Sequence, residues 1–423
     1  MFNLKNAYLR RYKNHSALSF ARFISSRIIL KSKRTFSKLI VRIAIVGIML
    51  GLGVMILSLA VIKGFKQEIR EKVRGFAGDV QIVKSDLNNS YENSSFIPEA
   101  DLVPKLIVNP NVTSVNAYAT KPGIIKANNE IEGVVMKGVD KHYNWRYLQK
   151  SLVGGSVLNF ADSAEAMKQV LISQVTANRL KLRVGDDLII YFIQETPRKR
   201  KLTIKGIFNV GVDEVDKTFI IGDLNLIKRL NDWNKGEIGG YEIRLNDFNK
   251  INYTADWIDN KLPILLKSYT VFDNYPTIFE WLGLLDVNAV VLLVLMTAVA
   301  VINMISALLI MILERTAMIG MFKAMGARNW VIQKIFLYNA AYLIGIGLLL
   351  GNLLGLGLGF FQQYTHFFKL DPASYYMTFV PIKFTLSDVV LLNISTLLVC
   401  LLVLIVPSML VSRISPVRAI RFK

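Results

Sequence analysis

Apolar and polar positions along this chain follow three different rhythms. The longest is a set of uncharged apolar runs, Ile43–Ile62, Val287–Leu313, Ile335–Phe368 and Val389–Val411. Each reaches or exceeds the ~20 residues with which a helix crosses a bilayer core. A shorter rhythm fills residues 64–286. There, brief runs rich in Val, Ile, Leu, Tyr and Phe predict strands at Val80–Val83, Ser114–Tyr118, Val134–Val139, Val170–Ser173, Leu188–Phe192, Leu202–Val210, Phe219–Ile221 and Tyr241–Leu245. Gly, Asn, Asp and Pro punctuate them. Helical spacing falls between them at Pro98–Val108, Gln174–Leu182, Leu224–Asn231 and Lys250–Leu262. Lys66–Arg74 predicts a charged helix continuing out of the first apolar run.

The third rhythm is confined to Ile312–Phe336, between two of the long runs. Glu314, Arg315, Lys323, Arg328 and Lys334 are interleaved with Ile319, Met321, Phe322 and Met325, and Gly326-Ala327 supplies a helix stop. A solvated connector has no need of Met, Phe and Ile at helical spacing, so this stretch predicts an ordered amphipathic elbow with something to touch.

The fold class that follows is an α-helical membrane protein with four transmembrane helices, one before and three after a large inserted α+β extracytoplasmic domain of two lobes. The expected segments are a basic cytoplasmic stretch with an interfacial helix (1–38), spans at 39–63, 287–313, 331–361 and 389–411, the outer domain at 64–286, the elbow at 314–330, an outer loop at 362–388 and a cytoplasmic tail at 412–423. Pro407 is expected to bend or end the fourth span.

Charge orients this arrangement. The chain of 423 residues carries a net charge of +20, which alone would suggest nucleic-acid binding. Residues 1–63, however, hold twelve Lys/Arg and no acid, whereas residues 64–286 are nearly neutral. The excess flanks the apolar runs, as the positive-inside rule requires, and places both termini in the cytoplasm. Phe20–Arg34, mixing Phe and Ile with Arg and Lys, predicts the interfacial helix. A basic recognition surface is excluded.

Candidate chemistry is sparse. The lone Cys400 lies in an apolar run, the three histidines are scattered, and no P-loop pattern is present. Asp213, Glu214 and Asp216 match no calcium loop. No acid lies in mid-span to relay protons, Asn303 being the most polar residue deep in the second span. The chain is therefore read as a non-enzyme with no catalytic residue, metal or cofactor of its own; any work must be powered by a partner. Gly347, Gly351, Gly355 and Gly359 form a four-residue repeat that lets another helix backbone approach closely. Gly47 and Gly51 are a weaker version. Whether the partner helix belongs to the same chain stays open.

With these residues in hand, the chain resembles the FtsX/MacB-type permease superfamily of ABC transporters, and within it the LolC/LolE family of lipoprotein-releasing permeases. Glu314-Arg315-Thr316, Ile319-Gly320 and Lys323-Ala324-Met325-Gly326-Ala327 are similar to the family's coupling helix. Pro407 with Ser415–Arg421 is similar to its C-terminal signature, and Gly64-Phe65 and Ala177–Asp186 to its outer core. The resemblance implies a cytoplasmic P-loop ATPase dimer that binds ATP and Mg, and a second copy or sister permease. It also implies a lipoprotein substrate drawn from membrane lipid and a periplasmic carrier. Glu314, Arg315, Ile319, Gly320, Met321, Lys323, Met325, Gly326, Ala327 and Arg328 would then contact the ATPase. Met49, Met55, Leu59, Ile62 and Phe65 are candidates to line a lipid-anchor cavity. Gln194, Pro197, Arg198, Lys199 and Arg200 mark the stretch where the family's carrier docks, here short and basic. Two other readings remain within the superfamily: a MacB-like mechanotransmitting permease expelling drugs, peptides or toxins, and an FtsX-like regulator of cell-wall hydrolases.

Overall fold

The computed structural model describes residues 35–86, 91–194, 196–371, 375 and 377–414, with side chains from Leu39 onward. The interfacial helix expected over Phe20–Arg34 and the signature at Ser415–Arg421 lie outside these residues. Two compact units result. One comprises the chain up to Phe65, Gly283–Lys369 and Phe379 onward; the other comprises Lys66–Leu282 and Leu370–Thr378.

The helical unit is built on four helices long and apolar enough to cross a membrane. They are α1 (Thr35–Ala77), α2 (Pro276–Glu314), α3 (Asn329–Thr365) and α4 (Leu386–Ser408). Helix α1 continues as one element well past the apolar run, as Lys66–Arg74 predicts. Helix α2 starts eleven residues before the uncharged run at Val287, because Pro276 in the first turn needs no donor and Glu280 and Asp286 are compatible with helix outside hydrocarbon. Helix α4 contains Pro407, stops at Ser408 and resumes as a short turn over Leu410–Arg413.

The glycine repeat of α3 packs on α1 of the same chain, which answers the question left open by the sequence. A Cβ added to Gly347 would lie 2.7 Å from Ile48 Cβ, and one on Gly351 would lie 2.9 Å from Leu52 Cβ and 3.0 Å from Met49 O. On Gly355 it would meet Gly53 O at 3.0 Å, and on Gly359 the ring of Phe384. Gly53 returns the contact, since a Cβ there would strike Leu354 at 2.5 Å. Gly47, on α1, leaves room for Asn303 of α2, whose amide donates to Ala44 O at 3.4 Å. Between α3 and α4, Asn352 and Asn393 exchange amide hydrogen bonds of 2.7 and 2.9 Å. Each also donates to a carbonyl one turn back in its own helix. Polar groups in hydrocarbon must find partners within the protein, and these amides find them across a helix seam.

The other unit is sheet-rich. Its strands are β1 (Val80–Lys84), β2 (Val112–Ala127), β3 (Glu130–Val139), β4 (Leu152–Gly155), β5 (Gln169–Ser173), β6 (Asp187–Phe192), β7 (Arg198–Phe208), β8 (Phe219–Asp223), β9 (Gly240–Leu245) and β10 (Leu266–Thr270). All eight expected strands are present. The edge strands β4, weakened by its Gly-Gly, and β10 were not signalled by the pattern.

Strand β2 organises the sheet. Its first half pairs antiparallel with β9, which continues to β1 and β10 and makes an open sheet. Its second half pairs with β6 along that same edge and with β3 along the other. Following β2, β3, β8, β5, β7 and β6 returns to β2, so this part closes on itself. The strand expected to end at Tyr118 instead runs on through Lys121-Pro122-Gly123. Pro122 falls where β9 has stopped pairing and β6 has not begun, so its missing N–H costs no ladder bond on that edge. The real turn is Asn128-Asn129, both at positive φ (47° and 66°), as a two-residue hairpin demands. In β6, Leu188, Ile190 and Phe192 point inward while Asp187, Ile189 and Tyr191 point out, the period of two that sequence patterning detects.

The α1–α3 seam gives a direct test. Gly351→Leu should lower the thermal unfolding midpoint of the detergent-solubilised chain, by overpacking worth about 1–3 kcal/mol or more. Gly345→Leu and Gly357→Leu, on the same helix with open space around them, should leave the midpoint near wild type.

Candidate functional site

The elbow is a short helix, Thr316–Ala324, set off from α2 by a break at Arg315. Its end is built as the Gly-Ala signal predicts. Gly326 takes φ = +86°, its N–H donates to Lys323 O at 3.0 Å, and Ala327 N–H reaches Phe322 O at 2.9 Å. That is a Schellman ending, which only a residue comfortable in the left-handed region supports.

The helix has two faces. Ile319 and Gly320 are buried, and Phe322 nearly so, in the core that includes Ile332, Ile335, Phe336 and Val411. The outward face carries Ala317, Met321, Ala324 and Met325, continued by Gly326, Arg328 and Trp330; Met325 is 68% exposed. Glu314, Arg315 and Ala327 are half-buried.

This divides the ten expected contact residues. Met321, Met325, Gly326 and Arg328 are open to a partner. Ile319 and Gly320 are not, because their side of the helix is what holds it to the bundle. Lys323 is also turned inward: its Nζ donates to Ser412 O at 3.1 Å and Ile414 O at 2.8 Å. It grips the chain's own last described turn.

The other sequence candidates scatter. Met55 is buried, with the Thr297 hydroxyl 3.7 Å from its sulfur, and the carbonyl of Met49 lies in the α1–α3 seam. Leu59, Ile62 and Phe65 are half-buried on α1. At the β6–β7 hairpin, Gln194 and Pro197 lie in the connection, half-buried and exposed respectively, while Lys199 and Arg200 lie at the start of β7, exposed and half-buried. Arg198 is engaged: it pairs with Asp232 at 2.7 Å and donates to Arg229 O and Leu230 O, closing the end of the helix Leu224–Leu230.

Two clusters escaped the sequence reading altogether. Both sit at the end of α1, within the sheet unit. Gly78, at φ = +73°, stops the helix with its N–H on Arg74 O. Arg74 forks onto the fully buried Asp79, reaches Glu71 at 2.5 Å and Leu245 O at 3.1 Å, and lies over the Phe248 ring. Asp79 in turn accepts from Leu245 N at 2.6 Å.

Beside this cluster, Lys137 of β3 and Glu242 of β9 are both buried and paired at 2.6 Å. Lys137 also donates to Phe76 O, in the last turn of α1, and sits 4.5 Å from the Phe76 ring centroid. Burial lowers the Lys137 ammonium and raises the Glu242 carboxyl, and each partner opposes the shift in the other. A cavity of about 360 Å³ adjoins the pair, walled in part by Phe76, Tyr118, Phe219 and Tyr275. The run Arg74-Gly75-Phe76-Ala77-Gly78-Asp79 held a signal for the helix end, glycine following a charged helix. Nothing local marks Lys137 or Glu242, since their burial depends on strands more than a hundred residues apart.

The comparisons with known proteins agree with this architecture. Residues 43–259, just over half of the chain, match the MacB-like periplasmic core domain, and residues 290–416 match the FtsX-like permease C-terminal region. The chain belongs to the family defined by the MacB-like periplasmic core domain. It is similar to the lipoprotein-releasing system transmembrane protein LolC of Neisseria meningitidis serogroup B, 24% identical over 417 residues, covering 93% of this chain and 96% of that one. LolE of Haemophilus influenzae is 21% identical over 407 residues, with coverage of 92% and 96%. The periplasmic region of MacB from Actinobacillus actinomycetemcomitans aligns at a TM-score of 0.34 and 13% identity, over 50% of this chain and 98% of that one.

Removing one charge of the buried pair leaves the other without compensation. Lys137→Met should therefore cost about 3–5 kcal/mol in unfolding of the full chain in detergent, and the double variant with Glu242→Leu should recover at least half of it. At the elbow, Gly326→Pro, which cannot adopt positive φ, should lower the thermal midpoint more than Gly326→Asn.

Proposed function

We propose that this chain is the permease subunit of an ABC transporter that extracts lipoproteins from the outer leaflet of the bacterial inner membrane and passes them to a periplasmic carrier. The observation that carries the reading is similarity to LolC and LolE along nearly the full length of both chains. ATP and Mg are bound and hydrolysed by a separate cytoplasmic P-loop ATPase dimer, and a second copy or a sister permease completes the complex. One span precedes the periplasmic sheet unit and three follow it, with both termini in the cytoplasm. The exposed elbow face of Met321, Met325, Arg328 and Trp330 meets the ATPase.

Physical chemistry supports a protein route for the substrate. A triacylated anchor hides on the order of 45 methylenes, and at ~0.8 kcal/mol each their exposure to water would cost roughly 35 kcal/mol. The anchor must therefore pass from lipid to an apolar protein surface and on to a carrier without meeting bulk water. The half-buried Leu59, Ile62 and Phe65 on α1 are apolar positions suited to such a path, and the β6–β7 hairpin, with the basic start of β7 and its exposed Lys199, is where a carrier would meet the sheet unit.

The test is transfer in proteoliposomes containing this chain, its ATPase, a mature triacylated lipoprotein and the soluble carrier. ATP-dependent arrival of lipoprotein on the carrier is the expected result. Intact ATPase activity that neither moves lipoprotein nor responds to it would instead indicate the MacB-like efflux permease.

A further inference from the structure

Helix α4 is fastened at both ends by lysines that belong to other elements. At one end, Lys323 of the elbow donates to the carbonyls of Ser412 and Ile414, just beyond α4. Val411 there is completely buried in the core that also holds Ile319 and Phe322 of the elbow. At the other end, Lys63 of α1 binds both carboxylate oxygens of Asp388, in the first turn of α4, at 2.6 and 2.7 Å. The negative charge sits where the positive end of the helix dipole favours it. The segment leading into α4 is tied to α1 as well. Lys383 N–H donates to Ala60 O at 3.0 Å, and a Cβ on Gly64 would collide with Pro381 O at 2.5 Å.

The elbow is joined covalently to α2 and α3 only. Through Lys323 it also grips α4, and through Asp388 α4 grips α1. We propose that α4 is the link by which movement of the elbow reaches α1, with Lys323 and the Lys63–Asp388 pair as the positioning residues at its two ends. Helix α1 is the element that continues without interruption to Ala77, in the sheet unit. The turn Leu410–Arg413 that follows α4 is held in the core by the buried Val411, and a packed helix resists compression along its axis. A displacement applied at the Ser412–Ile414 carbonyls therefore passes through that turn into α4 and is delivered at Asp388 unless one of the fastenings is cut. The inference rests on the elbow being where the ATPase pushes. It adds that Lys323 acts through α4 and not by touching the ATPase.

The experiment uses the reconstituted complex with two readouts, lipoprotein transfer and the signal of a fluorophore on Gln67→Cys in a Cys400→Ser background. Gln67 is exposed on α1 just beyond Lys63. Lys63→Met and Asp388→Asn should keep ATPase activity within twofold, lower transfer at least tenfold and abolish the ATP-dependent change at position 67. The exchange Lys63→Asp with Asp388→Lys should restore both readouts to within threefold, and Lys323→Arg should restore what Lys323→Met loses. Wild-type transfer and signal in the single variants would overturn the inference and leave the lipoprotein reading standing. Loss that neither the exchange nor Lys323→Arg repairs would overturn it too, since the defect would then not lie in these fastenings. If wild type shows the position-67 change but no lipoprotein transfer, the substrate reading falls while the link is still judged by the variants.

Discussion

The helical unit depends on how closely the backbones of α1 and α3 approach one another. Lipid tails are as apolar as leucine, so burial of side chains gives membrane helices little reason to associate; close van der Waals contact and satisfied polar groups must do it. Three glycines on α3, Gly347, Gly351 and Gly355, remove the atoms that would hold the helices apart, and Ile48, Leu52 and Gly53 of α1 occupy the space, while the fourth, Gly359, makes room for the ring of Phe384. Once α1 is seated, its other side is defined, and Gly47 there leaves just enough room for the Asn303 amide of α2. Helix α4 is attached differently, by an amide pair with α3. The bundle is thus held by geometry at one seam and by hydrogen bonds at two others.

Charged groups take over where the helices end. Lys63 with Asp388, and Lys323 with the carbonyls of Ser412 and Ile414, fasten the two ends of α4, and they do so where part of each side chain still meets solvent. Arg74, Asp79, Lys137 and Glu242 at the end of α1 are different, because they are buried. Desolvation makes such pairs expensive, and they persist only when every polar atom is answered. Asp79 accepts from Arg74 and from a backbone amide, and Lys137 reaches both a carboxylate and a helix carbonyl. An apolar packing of the same volume could hold the helix as firmly. Directional bonds to Phe76 O and Leu245 O specify one seating of α1 in the sheet.

The elbow combines these two ways of holding. Its inner face is apolar core, its end is a glycine-dependent turn, and its inward-turned Lys323 grips the chain just beyond α4. The remaining face, with Met321, Met325 and Trp330, is exposed, and those are large apolar side chains. A connector held this firmly on one side is an ordered part of the bundle and not a loose loop.

By itself the sequence determined the number and place of the long apolar helices, the amphipathic elbow with its glycine stop, and most of the strands. Those features are encoded by local periodicity and by residues with special backbone freedom. It also marked the Gly347–Gly359 stripe as a packing surface, since small residues at helical spacing are legible without knowing the partner. What only the tertiary structure decided was which element each surface meets. That Lys323 faces inward, that Lys137 and Glu242 are paired in the interior, and that β2 runs through Pro122 all depend on neighbours far away in the chain. Pro122 looks like a strand breaker until it is clear that no partner strand needs its N–H. Lys323 looks like a contact residue until the α4 end is placed beside it. Local spacing sets which way a side chain points from its own helix or strand; only the folded arrangement supplies what waits there to bind it.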